Sequence, residues 1–391
     1  MIDGSMSQGP FIPIAAPVFS TRELEVITEA VRSGWVSSAG PFLRDFETEF
    51  ASAIGVARAE AVCNGTAGLQ VILHAIGIGP GDEVIVPSQT FVSTAAAVVY
   101  CHATPVFADI LADAWTIDTA DVLNRLTPRT KAVIPVDLFG LCADVPGLRR
   151  ALADRGRGDV FILEDAAEAF GANLNGVSAG ALGDAGVFSF YGNKTLTTGE
   201  GGMVVTADAA LADRVRFLKN HGMSTTRRYY HPELGFNFRM TNLQAAIGLA
   251  QLAAAPDLVA RKRRIHARYR AALCGERGVR LQTVPPGHHH APWLTAIVDD
   301  SLEGEQDRDA LLARLGARGI DSRPFFYPNH LMPAFAGGSG GQGTRGRTTE
   351  PLAVTESVSF RGFALPSGAG LTDAEVDRCV DAYLTERRPL A

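Results

Sequence analysis

No C-x-x-C pair occurs among the five cysteines (Cys63, Cys101, Cys142, Cys274 and Cys379), and their number is odd. A disulfide framework is therefore not expected; reduced thiols in a cytoplasmic protein are. No run of eighteen apolar residues is present, so no membrane span is expected. Positive charge is not in excess either. Lys and Arg number 36 against 42 Asp and Glu, a net charge of −6. A binder of nucleic-acid phosphates needs a basic face, so nucleic acid is not an expected partner. The opening MIDGSMSQGP has no basic stretch followed by an apolar run, so a secretory leader is not expected, and its Gly4-Ser5-Met6 is set aside as an appended segment. What remains is 391 residues with 46% hydrophobic content. That is too apolar for a disordered chain and long enough for a large buried core in two or three domains.

The patterning is that of an α/β protein. Leu24, Ile27 and Val31 predict one amphipathic helix, and Phe42, Phe46, Phe50 and Ile54 a second. Short apolar runs then alternate with helix-length segments: EVIVP at 83–87, PVFAD at 105–109, KAVIPVD at 131–137, DVFILE at 159–164, GVFSF at 186–190 and GMVVT at 202–206. This rhythm predicts a mostly parallel sheet with helices on both faces. The last two runs are close enough to pair antiparallel. Helices are expected at 144–155, at 209–219 behind an Asp208 cap, at 241–254 and at 257–273. A smaller alternation from about 279 closes with a helix near 373–386. The expected division is a large domain over 11–255 and a small C-terminal domain over 256–391.

Several motifs have a chemical look without the context that chemistry needs. Gly338-Ser339-Gly340-Gly341-Gln342-Gly343 matches G-x-G-x-x-G, but it sits in a polar loop rather than between a strand and a helix. Gly192-Asn193-Lys194-Thr195 lacks the earlier glycine of a P-loop. His288-His289-His290 lies on chain whose side chains alternate in direction, so a solvated loop is expected rather than a metal site. Asp82-Glu83 and the basic run 261–264 read as solvated charge.

Four other segments place polar groups just after a strand or at a helix start. Cys63-Asn64-Gly65-Thr66-Ala67-Gly68 opens a helix, whose N-terminus suits an anion. Asp165 ends a strand and leads into Ala166-Ala167-Glu168, where open α/β sheets bind ligands. Phe188-Ser189-Phe190-Tyr191-Gly192-Asn193-Lys194 puts a lysine in an apolar, glycine-bearing stretch, and a desolvated lysine is nucleophilic toward aldehydes. Gly235-Phe236-Asn237-Phe238-Arg239 stands before a further helix. Each alone reads equally well as a cap or a surface group. Together they supply what pyridoxal phosphate requires: a lysine for its aldehyde, a carboxylate for its ring nitrogen and a helix start for its phosphate. Phe91 could cover the ring face.

These segments, with Gly34-Trp35-Val36-Ser37-Ser38 and GPGDEVIVPS at 79–88, resemble the DegT/DnrJ/EryC1/StrS family of sugar aminotransferases over nearly the whole chain. The resemblance implies a fold-type I pyridoxal 5′-phosphate enzyme and a homodimer with shared active sites. It implies that Lys194 bonds to the cofactor, Asp165 partners the ring nitrogen and Glu168 lies beside the phenolic oxygen. Gly65, Thr66, Ala67 and Ser189 would hold the phosphate, Asn237 would reach it from the partner subunit, and Phe91 would stack on the ring. Arg323, Tyr327 and His330 fall in a segment whose family counterpart lies near substrate. The implied reaction moves an amino group from L-glutamate to a keto-sugar nucleotide, first among them a GDP-linked 4-keto-6-deoxyhexose. C3 aminotransferases and enzymes acting on TDP- or UDP-sugars stay open. A pyridoxamine-dependent dehydratase is disfavoured because that branch replaces the lysine by histidine. Asp137-Leu138-Phe139-Gly140 departs from the family's frequent His-Leu-Tyr-Gly.

Overall fold

A computed structural model describes residues 10–336, 346–348 and 350–387. The G-x-G-x-x-G match at 338–343 lies outside them. Seven strands form the main sheet: β1 (Arg58–Val62), β2 (Glu83–Pro87), β3 (Thr104–Ala108), β4 (Thr130–Val133), β5 (Phe161–Asp165), β6 (Ala185–Ser189) and β7 (Gly202–Thr206). Their spatial order is β1-β7-β6-β5-β4-β2-β3. The pairs β2–β3, β2–β4, β4–β5 and β5–β6 are parallel. Strand β7 returns antiparallel between β6 and β1, as the close spacing of the two runs predicts. The central strands are buried along their length because helices cover both faces, so continuous apolar runs replace alternation. Strand β1, with two alanines and a glutamate in its five residues, gave no such run and was not expected.

A second, antiparallel sheet contains β8 (Val279–Leu281), β9 (Thr295–Asp299), β10 (Arg323–Pro324) and β11 (Gly362–Leu365), in the order β8-β9-β11-β10. Between the sheets runs one helix, Asn242–Leu273, entered through a capping box of Thr241 and Gln244. The two helices expected at 241–254 and 257–273 are thus continuous through Pro256. An internal proline costs about 3 kcal/mol. Leu252, Ala255, Leu258 and Val259 are all buried around it, and full burial of one Leu or Val contributes roughly 1.5–3 kcal/mol, so packing outweighs the break. We place the divide between the two domains within this helix. Ile12, at the N-terminal end, bridges to Ile320 and joins the core of the smaller sheet. By length and apolarity alone the helix could cross a membrane, but it packs against Thr21–Ser33, Pro41–Ile54 and Asp373–Glu386.

Three surface readings change. Helix Thr21–Ser33 forms where expected, but it buries Glu23, Val26 and Ala30, while Leu24 and Val31 face outward. Glu23 is tolerated inside because Ser20 and Gln251 hydrogen-bond its carboxylate. Glu83 is buried as well, held by Thr127, Arg129 and Arg347. Within the basic run, Lys262 points inward and donates to the carbonyls of Trp293 (2.7 Å) and Ser367 (3.0 Å). Burial, and then the charge of Lys194, push its pKa down to about 7.

Candidate active site

The carboxyl ends of β5 and β6 and the start of helix Gly65–Ala75 meet at a cavity of about 510 Å³. This is the edge at which open parallel sheets present ligand sites, because loops leaving the strand ends diverge there. The helix start is set by Asn64, whose Oδ1 accepts from the Ala67 N–H at 2.8 Å. Such a cap is worth about 1 kcal/mol. Gly65 lets the two elements approach closely: a Cβ on it would lie 3.3 Å from the Ser189 Cβ, a tight contact. The hydroxyls of Thr66, Ser93 and Ser189 consequently share one end of the cavity, with Thr66 Oγ1 donating to Ser93 Oγ at 2.7 Å.

Lys194 stands on a tight turn after β6, its N–H bonded to the Tyr191 carbonyl at 2.9 Å. Its Nζ lies 3.4 Å from Glu168 Oε1 and 3.7 Å from the centre of the Trp293 ring. Glu168 is buried, and its Oε2 accepts from the Phe139 N–H at 2.9 Å. Burial raises its pKa above the ordinary carboxylate value, with Lys194 pulling the other way. Asp165 accepts from Thr94 Oγ1 (2.7 Å) and the Ala167 N–H (3.2 Å). Burial raises its pKa too, against those two donors and the more distant Lys194 charge. A buried carboxylate bonded only to neutral donors is matched to a cationic group placed opposite it.

Of the residues singled out from sequence, Gly65, Thr66, Phe91, Asp165, Glu168, Ser189 and Lys194 all line this cavity. Phe91 stands at its mouth, with its ring edge-on to Phe326. Ala67 is not on the wall, and its N–H is already bonded to Asn64. Asn237 lies away from it, exposed, with Oδ1 held by Arg239 Nε (3.2 Å) and Nη2 (2.9 Å). Arg323 pairs with Asp321 at 3.2 Å on the surface. Tyr327 packs edge-on against Phe360. His330 is turned inward between Ser88 Oγ (2.7 Å) and Glu356 Oε1 (3.2 Å). From that segment it is Phe326 that reaches the cavity. His290 is not in a solvated loop; its Nε2 meets the Phe139 carbonyl at 3.0 Å. Thr94 and Trp293 were not foreseen. Thr94, three residues past Phe91 and in the first turn of helix Ser93–Tyr100, lies in a polar cluster that left a trace in the sequence. Trp293, within Ala291-Pro292-Trp293-Leu294, left none.

Fold and site together define a pyridoxal-phosphate-dependent aminotransferase. The chain belongs to the DegT/DnrJ/EryC1/StrS aminotransferase family, whose model matches residues 18–383. It is 42% identical over 379 residues to a GDP-perosamine synthase of Caulobacter vibrioides, covering 96% of this chain and 98% of that one. A GDP-perosamine synthase of Vibrio cholerae is 40% identical over 375 residues, with 95% and 99% covered. Among solved structures, the PLP-form of Spr1654 from Streptococcus pneumoniae, described as a sugar aminotransferase, superposes with a TM-score of 0.89 at 25% identity, covering 96% of this chain and 98% of that one. The cavity fits the cofactor: an amine from Lys194, a buried acid at Asp165 with no cationic hydrogen-bond partner among the described residues, and hydroxyls at a helix start.

Proposed function

We propose that this protein transfers the amino group of L-glutamate to a GDP-linked 4-keto-6-deoxyhexose. The observation that carries the reading is near-full-length identity of 40–42% with two GDP-perosamine synthases. The convergence of Lys194, Glu168 and Asp165 on one cavity supports it.

Bound there, pyridoxal phosphate supplies an aldehyde carbon for covalent attachment and a ring that accepts an electron pair. Lys194 is the residue that would bond to it, and its free Nζ would serve as the base that carries a proton. Asp165 would hold a proton on the ring nitrogen. Opposite charges at hydrogen-bond range, in a site of effective dielectric near 20, attract by roughly 4 kcal/mol, which would keep such a nitrogen charged. Glu168 receives the Phe139 N–H on one oxygen and faces Lys194 with the other, so it fixes the amine's direction. Gly65, Thr66 and Ser189 would hold the phosphate, with Ala67 contributing to the helix start behind them, and Phe91 would cover the ring face. Trp293 and Phe326 give the far wall an apolar, water-excluding surface.

The active unit in this reading is a cytoplasmic homodimer, and Asn237 of the partner subunit completes the phosphate site. The exposed position of Asn237 supports this, as do the uncovered apolar side chains of Trp35, Tyr229 and Leu234. The test is a panel of GDP-, TDP- and UDP-linked 4-keto-6-deoxyhexoses with L-glutamate, read by product mass. Amination of the GDP-linked sugar at the highest kcat/KM is expected. A preference for TDP- or UDP-linked sugars, for a 3-keto sugar, or loss of water without amino transfer would overturn the assignment.

A further inference from the structure

Asp137 and Glu164 are fully buried, and their carboxyl groups lie close enough for each to act on the other's charge. Glu164 accepts three main-chain N–H groups: Gly180 at 2.6 Å on Oε1, Leu182 at 3.0 Å and Gly183 at 3.2 Å on Oε2. Asp137 accepts one, from Ala143 at 2.8 Å on Oδ1. Its Oδ2 is buried without a donor among the described residues. Two carboxylates this close and away from water cannot both be ionised, and a hydrogen on one lets it donate to the other. The donors favour charge on Glu164, which leaves the hydrogen on Asp137 Oδ2.

This pair sits at the root of a strained turn. Asp137 precedes Leu138–Gly140, and its N–H donates to the Asp165 carbonyl at 3.0 Å. Phe139 adopts φ 55°, a left-handed backbone that a bulky residue takes only when its surroundings impose it. Gly140 has φ 92°, and a Cβ there would lie 1.9 Å from the Ala291 carbonyl oxygen. The Phe139 N–H goes to Glu168, and the Phe139 carbonyl receives the Trp293 N–H at 3.2 Å. One peptide unit on each side of Phe139 therefore sets the two groups that flank Lys194.

We propose that Asp137 is a protonated positioning residue: its carboxylic acid donates from Oδ2 to ionised Glu164 and so locks the turn that aims Glu168 and Trp293 at Lys194. The purpose of the turn rests on the role given to Lys194 above; the hydrogen on Asp137 does not. Burial and the neighbouring Glu164 and Asp165 raise the Asp137 pKa well above its ordinary value, and the remaining titratable group beside the pair is the buried Cys142 thiol. In the unfolded chain Asp137 ionises at its ordinary value. Its contribution to stability is therefore full below about pH 4 and declines as pH rises.

The test compares Asp137→Asn with the parent holoenzyme. The amide donates to Glu164 without needing a titratable proton. The expected result is loss of a carboxylic-acid carbonyl band from the infrared difference spectrum at about pH 8. A Tm gain of about 2 °C or more at that pH, shrinking toward zero near pH 4, and kcat within about twofold should accompany it. Asp137→Ala should lower kcat about tenfold, and the asparagine variant stands as its conservative rescue. No acid band in the parent, or a Tm difference independent of pH, would overturn the proposal, even if Asp137→Ala fails to fold. The substrate panel does not touch either readout, so the two readings fail separately.

Discussion

The two walls of the cavity are built on different logic. One comes from the main sheet and carries Asp165, Glu168, Lys194 and Ser189, each at or just past a strand end. The other comes from the smaller sheet's side and offers Trp293 and Phe326, while the charged and polar neighbours Arg323 and His330 turn elsewhere. On the first wall, topology dictates position: parallel strands end on one edge, so a polar residue at a strand end has little choice of where to go. On the second, irregular chain decides which of several adjacent side chains points inward.

That contrast ranks the consequences of substitution. Asp165→Asn removes the anion from the first wall while keeping its shape; kcat for the half-reaction with L-glutamate should fall about 10²–10³-fold, measured by single-turnover absorbance. Trp293→Leu takes the aromatic face from beneath Lys194 and should cost about three- to tenfold in the same assay, in line with the 0.5–1 kcal/mol or more of a shielded cation–π contact. Arg323→Ala breaks a surface pair and should change kcat/KM for the sugar nucleotide less than about twofold. An Arg323 effect as large as that of Trp293 would mean the second wall reaches further than the geometry shows.

The same contrast explains what was legible beforehand. Apolar runs of five to seven residues located six of the seven main strands, and the helix expected over 144–155 and the one behind the Asp208 cap both form. Strand β1 escaped because its alanines carry little signal, and the helix through Pro256 escaped because burial on both sides overrides a local breaker. In the site, Lys194 and Asp165 stood out as chemistry-bearing groups in apolar surroundings. Trp293 and Phe326 did not, since an aromatic in a loop reads as core until the loop's path is known. The outward face of Leu24 and Val31 makes the same point: periodicity finds a helix before it finds which side is inside.

Everything assigned to the first wall depends on where the cofactor attaches. Borohydride reduction of the holoenzyme followed by peptide mass mapping reads this directly. A single pyridoxyl phosphate adduct is expected on the peptide carrying Lys194, absent from Lys194→Ala. An adduct on another lysine, such as Lys262 or Lys219, or no adduct on a protein that has bound the cofactor, would contradict it.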